Sequence, residues 1–258
     1  MGNYRFCFQQ NQFFSPCVPC TEDEFNKAID NQDVNWKITT RQIVEHAIAQ
    51  GQLLDEWASH DKFKKFCYAE EQKPKKGAAF KELPLKERLL KWTNSLKMSL
   101  PCFIFAVKDF DKVTKTDKVG SPVLDADGKE VKYQRRLQPN IIQLSGLFMF
   151  DADHLPVDPY EVYTLTLKAG FPWQVRLAHK TSSGFGLRLV CEARVEVGNI
   201  ADNQIELARK LGLLGMLGTT GKPVTDDSCI DASRISYCPR RKDIYYIDNN
   251  HLFNTIKI

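Results

Sequence analysis

The sequence predicts an α+β fold, on three observations. Residues 1–98 show the spacing of amphipathic helices, and residues 99–258 alternate apolar, strand-like runs with capped helices. The second segment begins with polar hairpin patterns, which predict an additional β-rich segment before the core. The chain has 258 residues, which is enough for one large domain or two small ones with a hydrophobic core. We therefore expect a helical N-terminal region, 1–98, followed by an α/β core, 99–258.

The composition is that of a soluble globular protein, with 43% hydrophobic and 26% charged residues. No apolar run has the length of a membrane-spanning helix, and the first residues lack a signal-peptide pattern. The eight cysteines are scattered without a disulfide framework. These features predict a cytoplasmic protein with no membrane partner.

The net charge of +4 permits nucleic-acid binding without arguing for it. Three local runs are more basic than the average, at 73–76, 129–136 and 240–242. Such runs most often form a solvated face, so they are not assigned a function from the sequence.

Helix signals dominate the first segment. Thr21 and Glu24 form a capping-box pattern for a short helix that ends at Ile29. Apolar stripes over 40–59, interrupted near Gly51, and over 85–98 predict longer amphipathic helices. Cys17 and Cys20 have zinc-knuckle spacing, but no second pair follows at a suitable distance, so no zinc is expected.

A second Asp-x-Asp pattern, Asp125 and Asp127, lies in the polar part of the chain. Asp127 is followed by Gly128, and apolar residues flank the pair on both sides. An Asp-Gly step between apolar runs is a hairpin signal. We therefore predict a turn here, with an apolar strand at about 101–107 before it.

From residue 145 onward the elements predict the order β-α-β-β-α-β. They are strand one, 146–151, a helix from 158 to 170, strand two, 173–179, strand three, 187–195, a helix over about 202–217, and strand four, 235–237. Asp158 as N-cap and Pro159 at the first helical position mark the first helix start. This order is that of the split βαβ unit, as in folds like the RNA-recognition motif (RRM-like). We expect strand one to lie centrally, beside strands three and four, with strand four antiparallel to it.

Two acidic side chains lie at alternate positions at the end of strand one. Asp151 and Asp153 should face the same side, because side chains alternate along a strand. In the expected topology Asp231, just before strand four, meets them. Three converging carboxylates suit Mg²⁺ or Mn²⁺, and two such ions can assist phosphoryl transfer. The pair alone can also be an ordinary solvated strand end.

Donors for a polyphosphate surround the turn between strands two and three. The turn offers hydroxyl groups, and its glycines allow close approach of a ligand. Lys180 precedes the turn and Arg188 follows it, so each can bind phosphate. The predicted nucleotide-binding residues are Lys180, Ser182, Ser183, Gly184, Gly186, Arg188 and Arg234. The glycine-rich turn can also be an ordinary hairpin loop, and Arg234 can be a structural partner of Asp231 or Asp227.

Three segments together resemble motifs I, II and III of the archaeo-eukaryotic primase superfamily. They are Phe150–Asp153, Ser183–Arg188 and Asp231–Pro239, and the resemblance spans about residues 100–245. The branch that they resemble most is the VirE N-terminal, primase-like domain of bacterial mobile genetic elements.

This resemblance implies a DNA primase-polymerase, a nucleotidyltransferase in replication. Asp151, Asp153 and Asp231 would be catalytic and bind the metals, while Ser182, Ser183 and Arg188 would contact the triphosphate. The implied partners are nucleoside triphosphates and a single-stranded or primed DNA template, with a helicase or another replication protein as a further candidate. The superfamily usually has His where this chain has Arg188. Because arginine keeps its proton at physiological pH, this change questions an acid-base role and not phosphate binding.

Two other functions fit the same residues. One is a catalytically inactive, RRM-like nucleic-acid-binding module of a mobile element's replication protein. The other is a metal-dependent phosphohydrolase, which ranks lowest because the glycine-rich turn with Arg188 favours a nucleoside triphosphate over a simple phosphate ester.

Overall fold

The structure, a computed structural model, describes residues 4–12, 16–52, 55–73, 79–225 and 231–254. Its helices are α1 (Glu22–Ile29), α2 (Gln32–Ala49), α3 (Asp55–Ala58), α4 (Asp61–Glu71), α5 (Leu85–Met98), α6 (Pro159–Thr164), α7 (Ile200–Lys210) and α8 (Asn249–Phe253). Within the described ranges, no helix combines the length and apolar character needed to cross a membrane.

The strands are short and pair in antiparallel fashion. They are β1 (Cys7–Gln9), β2 (Val18–Pro19), β3 (Cys102–Ile104), β4 (Val107–Phe110), β5 (Lys112–Thr114), β6 (Lys132–Gln134), β7 (Ile141–Leu144), β8 (Leu147–Ala152), β9 (Val175–Lys180), β10 (Leu187–Glu192), β11 (Ser236–Tyr237) and β12 (Ile244–Ile247). One sheet has the order β11-β3-β1-β2 and a second has the order β12-β9-β10-β8. The pairs β4–β7 and β5–β6 stand outside these two sheets. The α+β class is therefore confirmed, with helices and antiparallel sheets in one chain.

One of the two predicted neighbours of strand one is wrong. In the sheet ladder β8 pairs with β10, the predicted strand three, whereas β11, the predicted strand four, pairs with β3 in the other sheet. Among the described residues, the chain after α7 pairs with β8 through one antiparallel bridge, between Ala152 and Thr225. β12, which the sequence analysis did not anticipate, pairs with β9 at the opposite edge.

Local helix and turn signals were more accurate. Thr21 and Glu24 make both hydrogen bonds of the capping box, and the Asp158 side chain accepts from the Tyr160 amide at 2.8 Å. The second core helix is shorter than predicted, since α7 ends at Lys210. The stripe over 40–59 becomes α2 and α3, and the part of it at residues 53–54 lies outside the described residues.

The second Asp-x-Asp forms a turn, as predicted. The Asp125 carboxylate accepts from the amides of Asp127 and Lys129, both at 2.9 Å, and Gly128 has a φ of +76°. Leu124 and Glu130 pair across it. These acidic residues are exposed, and they cap a hairpin.

Buried side chains of β8 alternate between two core clusters. Leu147 and Met149 pack in a cluster with Phe6, Phe25 and other residues from both parts of the chain. Their neighbours Phe148, Phe150 and Ala152 pack in a second cluster, with α6 and α7. Asp151 continues the first set, so its carboxylate points toward the side of the sheet that the N-terminal residues cover.

The two predicted segments are closely joined. β1, from the first segment, lies between β2 and β3, and Arg5 forms an ion pair with Glu192 of β10. Residues on both sides of position 98 thus share one core, and the helices of the first segment reach the end of β8.

Candidate functional site

A cavity of about 420 Å³ opens where the end of β8, the β9–β10 turn, α5 and β11 converge. Six of the predicted site residues line it. They are Asp151, Asp153, Ser182, Ser183, Arg188 and Arg234. Residues far apart in the sequence thus meet at one place, as the analysis of strand one and the glycine-rich turn predicted.

The two carboxylates of the cavity lie close enough to affect each other. Asp151 is buried at 6% exposure, and its Oδ1 has no hydrogen-bond partner among the described residues. The negative charge of Asp151, followed by burial, raises the pKa of Asp153. Two carboxylates in such proximity repel each other, and a bound cation would relieve that repulsion.

Arg188 balances part of that charge. It is the register partner of Asp151 across the β8–β10 ladder, and its Nη2 forms an ion pair with Asp151 Oδ2. Its Nη1 donates to Ser236 Oγ at 3.2 Å. Arg188 is 7% exposed, so it is a buried partner of the carboxylate in this structure as well as a lining residue.

The glycine-rich turn lies directly against the carboxylates. A Cβ at Gly186 would be 2.5 Å from the Ala152 carbonyl oxygen and 2.8 Å from Asp153 Oδ1. Only glycine allows this approach. Gly184 has a φ of +87° and faces α2, where Gln42 and His46 lie against it. The two glycines therefore serve to fit the turn between β8 and the N-terminal helices.

Hydroxyl groups of this turn reach the cavity. Thr181 Oγ1 and Ser183 Oγ are hydrogen-bonded at 3.1 Å, and Ser182 Oγ accepts from Arg41 Nη1 at 2.5 Å. All three residues line the cavity. They provide donors that can turn toward an anionic ligand.

Asp231 is placed differently from the prediction. Its carboxylate accepts from Ser233 N at 2.8 Å and from Ser233 Oγ at 2.7 Å, and it is not among the described residues that line the cavity. No group of three or more His, Cys, Asp or Glu side chains in the described ranges is placed to hold a metal ion. The predicted convergence of Asp231 on the pair through a β8–β11 ladder is wrong, because β11 pairs with β3.

The segment after Asp231 nevertheless reaches the site. Arg234, Ile235 and Tyr237 line the cavity. Lys180 ends β9 and is half-buried, outside the lining residues. The structural partner considered for Arg234, Asp227, lies outside the described residues.

Sequence reasoning missed the wall that the first segment supplies. Arg41 of α2 and Asn94, Lys97 and Met98 of α5 line the cavity. Arg41 is held by Glu45, one turn along the helix, at 2.6 Å. Each of these residues looks like an ordinary surface position of an amphipathic helix, so no local pattern distinguishes it.

Lys97 belongs to the same basic wall. Its ammonium lies 5.0 Å from the centre of the Tyr237 ring. Burial first, and then the charge of Arg41, lower the pKa of Lys97. An anion bound in the cavity would favour the charged form of Lys97.

A buried histidine lies behind the site. His179 pairs with Arg188 across the β9–β10 ladder, and its Nδ1 is 2.8 Å from the Lys180 carbonyl oxygen. Its Nε2 has no hydrogen-bond partner among the described residues. Burial lowers its pKa to about 4, so the ring is neutral at physiological pH.

The cavity is therefore bipolar. Its lining includes two carboxylates, Asp151 and Asp153, and five Lys or Arg side chains: Arg41, Lys97, Arg136, Arg188 and Arg234. Such a surface can accept a polyanion together with a divalent cation.

Comparisons of the chain with protein-family models, with curated proteins and with solved structures found no match.

Proposed function

We propose that this chain is a DNA primase-polymerase-like nucleotidyltransferase, which uses divalent metal to add nucleotides to a nucleic-acid chain. One observation carries the proposal: an acidic pair, a glycine-rich turn and a basic wall from three parts of the chain line a single cavity. The resemblance of three sequence segments to primase motifs points to the same chemistry.

The residues present fit Mg²⁺ or Mn²⁺. Asp151 Oδ1 is buried without a described partner, and the charge of Asp151 raises the pKa of Asp153. The carboxylate oxygens of Asp151 and Asp153 are the hard ligands that these cations prefer. Asp231 is the third proposed ligand, and it would have to leave its hydrogen bonds with Ser233 to take part. A bound metal would activate the attacking hydroxyl and neutralise charge on the phosphates.

The triphosphate would lie against the basic wall. Ser182 and Ser183 offer hydroxyl donors on the turn, and Arg234 faces them from the segment before β11. Arg41 and Lys97 add two charges that the primase resemblance does not supply. The wall thus accounts for binding of a nucleoside triphosphate better than for a simple phosphate ester, which needs fewer donors.

Arg188 has a second role in this proposal. Its ion pair places a positive charge directly beside the buried Asp151 carboxylate and offsets part of the negative charge there. Arginine does not exchange protons at physiological pH, and the neighbouring His179 is neutral and buried. We therefore assign to Arg188 charge balance and phosphate binding, without proton transfer.

The RRM-like core belongs to this proposal as well. The order β9-β10-β8, with α6 between β8 and β9 in the chain, matches the first part of a split βαβ unit. The bridge at Thr225 lies where a fourth strand of such a unit would begin.

A primer-extension and de novo synthesis assay with Mg²⁺ and Mn²⁺ tests the function. The decisive variant is Asp153→Asn, because Asp153 takes no part in the buried ion pair with Arg188. Asp127→Asn is the matched control, since it changes the same residue type in the other Asp-x-Asp pattern, which is exposed. We expect nucleotide incorporation by the wild type and by Asp127→Asn, and loss of it in Asp153→Asn. Equal incorporation by all three proteins would remove the acidic pair from catalysis.

A second candidate is a catalytically inactive nucleic-acid-binding module. It is favoured by the ion pair that offsets part of the Asp151 charge and by the absence of Asp231 from the described cavity lining. In that case the wild type would bind DNA but incorporate no nucleotide with either metal.

A further inference from the structure

A second depression, of about 720 Å³, runs beside the cavity along a projecting β-ribbon. The ribbon consists of β5 and β6 with the hairpins between them, and residues 131–137 form much of the floor. Four cations line this groove, Lys115, Lys132, Arg135 and Arg136, and its described lining includes no carboxylate. The groove is therefore strongly positive, although the chain as a whole has a net charge of only +4.

The groove continues into the cavity. Gln12 and Arg136 line both. Arg136 is fixed between them, with Nε donating to Gln9 Oε1 at 2.9 Å and Nη1 donating to the Ser233 carbonyl oxygen at 3.2 Å. A ligand in the groove would thus arrive beside Arg234 and the acidic pair.

The ribbon presents its charges from a regular backbone. Lys112, Val113 and Thr114 pair with Gln134, Tyr133 and Lys132, and the amide of Cys17 donates to the Gln134 carbonyl oxygen at 3.0 Å. Of the groove cations, Lys132 lies on β6, Lys115 directly follows β5, and Arg135 and Arg136 follow β6. Four cations grouped beside a paired ribbon suit a repeating anion such as a phosphate backbone.

One aromatic and two aliphatic side chains lie among these cations. Val131, Tyr133 and Leu137 line the groove, and Tyr133 is half-buried. Aromatic side chains between phosphate-binding cations are typical of surfaces on which unpaired bases stack. A duplex would offer its phosphates but would keep its bases inside.

We propose that this groove binds single-stranded DNA and leads it into the cavity. This inference rests on the proposed function, which names DNA as template, but the ribbon is a separate binding site with its own residues. The basic run 129–136, which the sequence analysis treated as a solvated face, is divided by the fold. Lys132, Arg135 and Arg136 line the groove, whereas Lys129 does not.

Binding of labelled oligothymidylate to the full chain, followed by fluorescence anisotropy over a range of salt concentrations, tests this site. The test variant is Lys132→Ala/Arg135→Ala. The matched control is Lys118→Ala/Lys129→Ala, which removes two exposed charges from the same ribbon outside the groove. We expect the test variant to lose about tenfold in affinity at low salt and to lower the salt slope by about 1.4, or about 0.7 for each lost phosphate contact. The control should match the wild type.

Two further measurements separate this inference from the proposed function. Nucleoside triphosphate binding should be unchanged in Lys132→Ala/Arg135→Ala, because neither residue lines the cavity. The anisotropy result does not depend on nucleotide incorporation, so it holds even if the protein proves inactive. Equal DNA affinity in both double variants would overturn the proposal, and so would loss of affinity for the matching RNA without any loss for DNA.

Discussion

Arg188 and Asp151 are register partners on adjacent strands, and their side chains form a buried ion pair at the floor of the cavity. Both are largely shielded from water, with side-chain exposures of 9% and 5%. The same two residues therefore link β8 to β10 through their side chains and contribute to the charge of the candidate site.

The first prediction concerns that pair. Removing one partner leaves an uncompensated buried charge, so Asp151→Ala should lower the free energy of unfolding by about 3–5 kcal/mol. The double variant Asp151→Ala/Arg188→Ala should be less destabilised than the sum of the single variants. Denaturant unfolding of the four proteins measures this coupling. Strict additivity would show that the ion pair contributes nothing specific.

The second prediction concerns the charge of Asp153. Its pKa is raised above the ordinary value of 3.8, so the folded state binds the proton more tightly than the unfolded state. Ionisation of Asp153 therefore costs stability as the pH rises above that value. We expect metal-free Asp153→Asn to be more stable than the wild type at neutral pH, with the difference vanishing as the pH falls below the ordinary value. A wild type that is the more stable protein at neutral pH would contradict this.

The third prediction adds metal to the same two proteins. A cation that binds only the folded state should raise the stability of the wild type by about 2.7 kcal/mol at a concentration a hundred times its dissociation constant. Asp153→Asn should show little of this effect. Thermal unfolding with Mn²⁺ or Mg²⁺ measures it without any activity assay, and an equal shift in both proteins would place the metal elsewhere.

The fourth prediction concerns the wall from the first segment. Arg41→Ala removes a charge-assisted hydrogen bond to Ser182 and a cation from the cavity, so the KM for nucleotide should rise about tenfold. Lys37→Ala is the control, since Lys37 pairs with Asp33 on the same helix and does not line the cavity. Steady-state kinetics at saturating template distinguish the two. The same KM in both variants would remove Arg41 from the nucleotide site.

The fifth prediction concerns His179. Its pKa in the folded protein is about 4, below the ordinary value of 6.5, so the unfolded state takes up a proton first as the pH falls. Stability should therefore decrease from pH 6.5 towards pH 4, and His179→Gln should flatten this part of the profile. Denaturant unfolding across this range checks the sign, and a profile that is equally steep in the variant would assign the acid sensitivity to other groups.

Much of the local structure could be predicted from the sequence because its causes are local. The cap at Thr21, the turn at Asp125 and the alternation along β8 follow from residues only a few positions apart. Asp151 and Asp153 both line one cavity, as their alternate positions predicted, and the β8–β10 ladder brings Ser182 and Ser183 to the same place.

The partners of strands could not be predicted in the same way. β11 is two residues long and pairs with β3, more than a hundred positions earlier in the chain. No periodicity encodes that choice, which depends on how the complete core packs. Arg41 and Lys97 were missed for a related reason, because their role is visible only once α2 and α5 lie against the end of β8.

One wall of the cavity comes from α2 and another from the residues that precede β11. This arrangement has a consequence for protein synthesis. Arg41 leaves the ribosome long before Arg234, and the acidic pair emerges between them. A growing chain therefore cannot complete this cavity until Arg234 is available to fold. A chain that ends before Arg234 would lack this part of the cavity wall.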